Sequence, residues 1–232
     1  MTNTVLTAEN ISYLDQLSES SFELKKGFTT LMGPSGSGKS TCAMLLVGAL
    51  KLSSGKVSYL SDTGTTSLNI YPETNSWVKK IQLESAQNRR VKRHIIRYCG
   101  YVAQTPELPR GMTVKDYIYN VRTAAGNKLD VRYLDWLLNK LGIAKNMDKI
   151  AASQSGGEQQ RTAVAFALAN KPSLFIADEP NASLDTKSGK EVLELTRSLA
   201  DNGMSVLWIT HTPEHQDYAD NKLYAENGVV YE

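Results

Sequence analysis

Gly33-Pro34-Ser35-Gly36-Ser37-Gly38-Lys39-Ser40 lies between an apolar, strand-like stretch, Phe28 to Met32, and a helical stretch from Lys39 to Leu50. It fits G-x-x-x-x-G-K-[ST] with every required position filled, in the strand-to-helix setting that the pattern needs. Glycines let the backbone curl so that its N–H groups point inward and form a concave anion site. The helix that follows adds the positive end of its dipole. Lys39 supplies a charge for β- and γ-phosphates, and Ser40 a hydroxyl for Mg²⁺. The segment therefore predicts a bound nucleoside triphosphate with its magnesium.

A second run points to the same chemistry. Leu174-Phe175-Ile176-Ala177 reads as a buried strand and ends in Asp178-Glu179. In parallel α/β sheets, ligands bind beyond the carboxyl ends of the strands, so two carboxylates are expected beside the phosphate loop. Asp178 is the expected Mg²⁺ ligand, directly or through water. Glu179 is then free to polarise an attacking water as general base.

Around these landmarks the first third reads as short strands, Val5 to Ile11 and Ser21 to Leu24 before Phe28 to Met32, with another near Lys56 to Leu60. A polar, poorly periodic region covers Ser61 to Asn88. The basic cluster Arg89, Arg90, Lys92, Arg93, His94 and Arg97 comes next, then a short strand, Gly100 to Ala103. Thr113 to Leu141 turns helical, with Tyr133, Leu134, Trp136, Leu137, Leu138 and Leu141 forming an apolar face. A helix follows Ser155-Gly156-Gly157, another covers Glu191 to Ala200, and Val206 to Thr210 is a buried strand. Strands alternating with helices predict a parallel sheet covered on both faces. The helical middle, 105–165, has the character of an inserted lobe.

Composition sets the outer bounds. The 232 residues are 41% hydrophobic and 22% charged, with a net charge of +2, so no broad attraction to nucleic acid or anionic lipid follows. The two cysteines, Cys42 and Cys99, offer no disulfide framework, lie in apolar stretches and read as packing residues. The polar start, Met1-Thr2-Asn3-Thr4, has no signal-peptide character. No apolar run approaches the ~18 residues of a membrane-spanning helix. Any membrane role is expected to come through another chain.

The order of motifs resembles the ATP-binding-cassette (ABC) ATPases along nearly the whole chain. Besides the phosphate loop and the carboxylate pair, Ser155-Gly156-Gly157-Glu158-Gln159-Gln160-Arg161 resembles the family's signature motif, and Tyr101-Val102-Ala103-Gln104 its Q-loop. Ser183-Leu184-Asp185 resembles the D-loop, and His211 the switch histidine. Ser155 and Glu158 also read as a capping box that starts a helix. Two glycines in a first turn nevertheless cost helix stability, which points to something that approaches the backbone closely.

The resemblance implies an α/β fold: a P-loop NTPase core of the ABC type with an N-terminal antiparallel β subdomain and an inserted α-helical subdomain. It implies one ATP-binding domain over 1–232, with 1–104 and 166–232 as core plus β subdomain and 105–165 as the helical subdomain. Gly33 to Ser40 and Thr41 would hold ATP, and Tyr13 would stack on adenine. Ser155, Gly156, Gly157 and Asp185 would meet the ATP of an opposing subunit. Gln104 would sense Mg²⁺, and His211 would contact the γ-phosphate and Glu179. The catalytic set is then Lys39, Gln104, Glu179 and His211, and the metal set Ser40, Gln104 and Asp178.

The partners so implied are a second ABC subunit, head-to-tail and most simply a second copy, and an integral membrane permease, with no nucleic acid. The place so implied is cytoplasmic, peripheral on the inner face of the cell membrane. Leu141-Gly142-Ile143 and Asp148 to Ser153 resemble the branch serving lipoprotein release and macrolide export. The short C-terminus fits a stand-alone subunit without a regulatory domain. Three features depart from the branch: Gln154 replaces a leucine before the signature serine, Phe166 replaces an arginine on what is expected to be a surface, and Ser61 to Arg97 is long. The rival reading is a soluble ABC ATPase acting on DNA or ribosomes; the chain lacks the long coiled coils or second cassette of such relatives, and any strong basic excess. A degenerate, non-hydrolysing subunit is a further rival, opposed by the joint presence of Lys39, Asp178, Glu179 and His211.

Overall fold

The computed structural model describes residues 3–61, 64–69, 97–124 and 130–232. They fall into two compact units, Met1–Ile95 with Leu207–Glu232, and Ile96–Val206. The basic cluster from Arg89 to His94 lies outside the described residues. Arg97 is exposed, with its guanidinium 5.5 Å from the centroid of the Tyr98 ring.

In the first unit, β1 (Thr4–Tyr13), β2 (Leu17–Lys25), β4 (Ser54–Ser61) and β5 (Gly64–Asn69) form an antiparallel sheet in the order β2-β1-β4-β5. Alternation explains the pairing: Leu6 faces Leu24 and Ala8 faces Phe22, and all four side chains are buried. β5 falls where the sequence reads as polar and poorly periodic. It pairs antiparallel with β4 from Lys56↔Asn69 to Ser61↔Gly64, so a neighbouring ladder supplies what its own pattern does not.

The same unit holds β3 (Phe28–Met32), β9 (Asn221–Glu226), β10 (Val229–Tyr231) and most of β8 (Ser205–Thr210), in the order β10-β9-β3-β8. β3 and β9 are parallel, and β3 is almost wholly buried. Asn227 (φ 49) and Gly228 (φ 77) close the β9–β10 hairpin, an Asn-Gly turn that requires positive φ at both positions. Helix α1 (Lys39–Leu46) ends four residues before the expected Leu50. Gly48 adopts φ 66 and donates to the Leu45 carbonyl, so the chain leaves the helix through a left-handed glycine.

In the second unit, β6 (Cys99–Val102) runs parallel to β7 (Leu174–Asp178), and Ser205, which opens β8, donates to the Ser173 carbonyl at 2.9 Å. The helices are α2 (Val114–Ala124), α3 (Val131–Lys140), α4 (Gly156–Leu168) and α5 (Thr186–Asp201). The long helical stretch expected over Thr113 to Leu141 is therefore two helices. Asp130 starts the second: its carboxylate accepts from the Tyr133 N–H at 3.1 Å and pairs with Lys171 at 2.6 Å. Leu134, Leu137, Leu138 and Leu141 are buried as the periodicity predicts, while Trp136 is exposed. α5 starts five residues before the expected Glu191 because Asp185 caps it.

Cys42 is buried and Cys99 half-buried, and burial pushes both thiols up to about 12. Beside Cys99, Gly100 sets the approach of β6 to α4. A Cβ there would lie 2.4 Å from the Ala167 carbonyl oxygen. Gly100→Ala should destabilise the protein by about 1–3 kcal/mol through overpacking. The check is a lower urea midpoint at unchanged slope.

Candidate functional site

The first unit carries the phosphate loop. β3 delivers the chain to Gly33, and α1 takes it away at Lys39 with Gly38 (φ 94) at its N-cap. Two glycines here cannot be replaced. A Cβ on Gly33 would lie 2.1 Å from the Ala225 carbonyl oxygen, and one on Gly38 would lie 2.8 Å from the Gln16 carbonyl oxygen, at a φ that side chains avoid. Gly36, at φ 78, faces open space.

Lys39 is buried, and its Nζ donates to the carbonyls of Gly33 at 2.8 Å and Pro34 at 2.7 Å. The ammonium thus lies folded over the loop that a phosphate would fill. Ser37 is 3% exposed, and its hydroxyl has no hydrogen-bond partner among the described residues. A buried orphan hydroxyl, a buried lysine and a backbone cradle at a helix N-terminus fit a phosphate chain. Pro34 and Ser35 are exposed, and Ser40 is half-buried in the first turn of α1.

One further element meets the start of α1. The Thr41 hydroxyl donates to Gln16 Oε1 at 3.0 Å, and Gln16 sits in the turn after Tyr13, its own N–H bonded to the Tyr13 carbonyl at 3.0 Å. The half-buried Tyr13 is thereby tied through its turn to the start of α1. His211 follows β8 and is exposed. His215, which belongs to none of these motifs, is buried and hydrogen-bonded to Thr210 and Trp208. Its signal in the sequence is only its position four residues after His211.

The second unit brings together the carboxylate pair and Gln104. Asp178 ends β7 at 3% exposure. Burial first, and the Asp178 charge second, push the Tyr101 phenol up to about 12. Glu179 takes a left-handed conformation (φ 45), rare for a side-chain-bearing residue and typical of functional turns. Gln104 Nε2 donates to Glu179 Oε2 at 3.1 Å. The turn at the end of the strand therefore offers a carboxylate already held by an amide.

Ser155 starts α4 through a complete capping box. The Glu158 carboxylate accepts from the Ser155 N–H (3.1 Å) and hydroxyl (3.0 Å), and from Asn146 Nδ2 (3.0 Å), with Lys149 at 3.3 Å. Ser155 and Gly156 are exposed and Gly157 is half-buried. A Cβ on Gly156 would meet nothing within 4 Å, so nothing among the described residues requires a glycine there. Asp185 is exposed and caps α5, accepting from the Ser188 N–H at 3.0 Å.

Two of the sequence departures find a place. Gln154 is buried and accepts from the Thr162 hydroxyl at 2.7 Å, so its side chain serves packing. Phe166 corrects the surface expectation: it is 6% exposed, its ring 4.3 Å from that of Tyr117. Apolar surroundings, not a lost surface charge, explain a phenylalanine there.

The family described as "ABC transporter" matches residues 17–182. The chain belongs to the ABC transporter family. As an ABC protein it is an ATP-binding, ATP-hydrolysing subunit, with the α/β fold that the motif order implies. The lipoprotein-releasing system ATP-binding protein LolD of Shewanella oneidensis is 33% identical over 203 residues, covering 86% of this chain and 80% of that protein. The macrolide export ATP-binding/permease protein MacB of Neisseria meningitidis is 33% identical over 217 residues, 92% of this chain. The chain spans 31% of the length of that relative.

Two solved structures share the fold of the ABC chain. One is an ATP-binding subunit of an ABC transporter, with a TM-score of 0.79 at 22% identity over 99% of this chain and 89% of that one. The other is a dimeric ATP-binding cassette in a post-hydrolysis state bound to ADP and Pi, with a TM-score of 0.77 at 23% identity over 98% and 97%. Among the described residues, no helix is long and apolar enough to cross a membrane.

The capping box predicts a pH dependence. The Ser155 N–H first, then the Asn146 amide and the Ser155 hydroxyl, hold the Glu158 carboxyl down to about 2, from an ordinary 4.5. A depressed carboxylate stabilises the fold fully above its ordinary value, and loses that contribution as pH falls through its folded value. The stability gap between the parent and Glu158→Gln should be widest near about pH 7 and close between 4.5 and about 2. Urea unfolding at stepped pH measures it; a gap that stays constant down to the acid end would refute the capping role.

Proposed function

We propose that this chain is the nucleotide-hydrolysing engine of a membrane transporter, closing with a second ABC subunit, most simply a second copy, in a head-to-tail dimer on ATP. The observation that carries the reading is the phosphate cradle, with its buried Lys39 and the two glycines whose Cβ positions are occupied. Gly33, Pro34, Ser35, Gly36, Ser37, Gly38, Lys39, Ser40 and Thr41 bind the phosphates of ATP, and Tyr13 stacks on its base. Ser155, Gly156, Gly157 and Asp185 face the ATP held by the opposing subunit. The exposed start of α4 supports that role, because no contact among the described residues explains Gly156.

Ser40, Asp178 and Gln104 would hold Mg²⁺, which when bound neutralises phosphate charge. Glu179 is the general base, held by the Gln104 amide. His211 is the γ-phosphate contact. Asp178 ends a buried strand at 3% exposure, a place where a carboxylate suits a bound cation. One domain over 1–232, with 105–165 as its helical subdomain, is the organisation this reading uses. The membrane partner is an integral permease; the working location is the inner face of the cell membrane.

ATP drives closure only if the closed dimer binds it more tightly than the open one. Glu179→Gln should lower kcat by about 10²–10⁴-fold and accumulate an ATP-dependent dimer in size-exclusion chromatography. Turnover at the parent rate would rule out Glu179 as base. Lys39→Ala should lose ATP binding in calorimetry, and unchanged affinity would overturn the phosphate-loop assignment. Tagged Glu179→Gln protein, extracted from native membranes with Mg-ATP, should elute with a stoichiometric integral membrane protein; elution with ribosomes or DNA-processing proteins would reject transport.

A further inference from the structure

His215 lies in the 3-10 segment Pro213–Tyr218 and is 8% exposed. Its Nδ1 is 2.7 Å from the Thr210 hydroxyl and 3.3 Å from Trp208 Nε1. The indole N–H only donates, so its bond to Nδ1 calls for the neutral Nε2–H tautomer, whose one Nδ1 lone pair is shared between the indole N–H and the Thr210 hydroxyl. The Thr210 hydroxyl then donates to Nδ1 as well, which leaves its oxygen free to accept from the Thr212 N–H at 3.0 Å. Trp208 is fully buried and sets the indole edge-on to the imidazole, with centroids 6.0 Å apart. Burial holds the ring below its ordinary pKa; Glu214 opposes this shift and His211 adds to it. Each bond in the relay therefore has a single direction.

The relay brackets His211. Thr210 and Thr212 are its two chain neighbours, and the Thr210 hydroxyl joins them through a side chain fastened to His215. We infer that His215 is a positioning residue for the ATPase reaction: through Thr210 it fixes the backbone bend that presents His211. This rests on the proposed role of His211 in hydrolysis. The inference assigns a function to a buried histidine that phosphate chemistry alone does not use. It also explains why a titratable ring, and not an aliphatic side chain, fills a buried place behind an exposed histidine.

The experiment compares steady-state ATPase kinetics and melting temperature for the parent, His211→Ala, His215→Leu and His215→Asn. Leucine fills the site without an acceptor, whereas the asparagine oxygen can replace Nδ1. His215→Leu should lower kcat about 10-fold or more while KM for ATP stays within about 2-fold, since misplacement of a reacting group acts on the chemical step. His215→Asn should recover most of the loss. Parent-like turnover in His215→Leu beside an inactive His211→Ala overturns the inference and leaves the His211 assignment standing. Parent-like turnover in His211→Ala overturns that assignment itself. A loss in His215→Leu that asparagine does not relieve reduces His215 to a filler and also overturns the inference. Nitrogen-15 NMR of the parent gives an activity-independent readout, with only three histidines in the chain. A protonated Nδ1 on His215 at neutral pH rejects the relay even if a variant fails to fold.

Discussion

The loop between β3 and α1 must turn its N–H groups inward, and two missing Cβ atoms make that possible. Gly33 lies against the Ala225 carbonyl and Gly38 against the Gln16 carbonyl, at 2.1 and 2.8 Å from where a Cβ would stand. Both contacts are with backbone, which cannot swing aside as a side chain can. The loop therefore keeps its shape only because β9 and the β1–β2 turn hold theirs. The Asn227-Gly228 hairpin extends the same dependence, since the Gly228 carbonyl accepts from the Ser18 N–H at 2.7 Å. Much of the first unit acts as a frame for one concave stretch of backbone.

The second unit solves a different problem, that of holding charge at a strand end. Asp178 is buried at a strand end, and Glu179 is turned out by a left-handed backbone and held by Gln104. In the signature segment the capping box satisfies the Ser155 and Glu158 N–H groups and so fixes the start of α4. The Glu158 carboxylate is itself tied down by Asn146 and Lys149, so the cap does not depend on one hydrogen bond. Gly100 lets β6 lie directly against α4, which brings the strand leading to Gln104 close to the signature helix. Rigid supports of this kind set how precisely an exposed group is held.

Buried polar residues behind both sites follow one rule. Gln154 is fixed by Thr162, and His215 by Thr210 and Trp208. Each bond gives a buried polar side chain a defined place in an otherwise apolar interior.

The sequence by itself determined the landmarks, because their chemistry is local. A glycine-rich strand-to-helix turn with Lys39 and Ser40, two acids after an apolar strand, and a signature in fixed order need no tertiary information. Continuous apolar runs likewise placed β3, β7 and β8 within a residue or so of their observed ends. Tertiary structure decided the rest. β5 exists because β4 offers it a ladder, α1 stops because Gly48 turns left-handed, and Thr113 to Leu141 divides because Asp130 caps a new helix against Lys171. Phe166 became a core residue only when Tyr117 packed on it. His215, silent as a motif, acquired its place from a threonine and an indole whose directions only the fold could set. Local patterns record what a segment can do, whereas hydrogen-bond direction and burial depend on what the rest of the chain places opposite it.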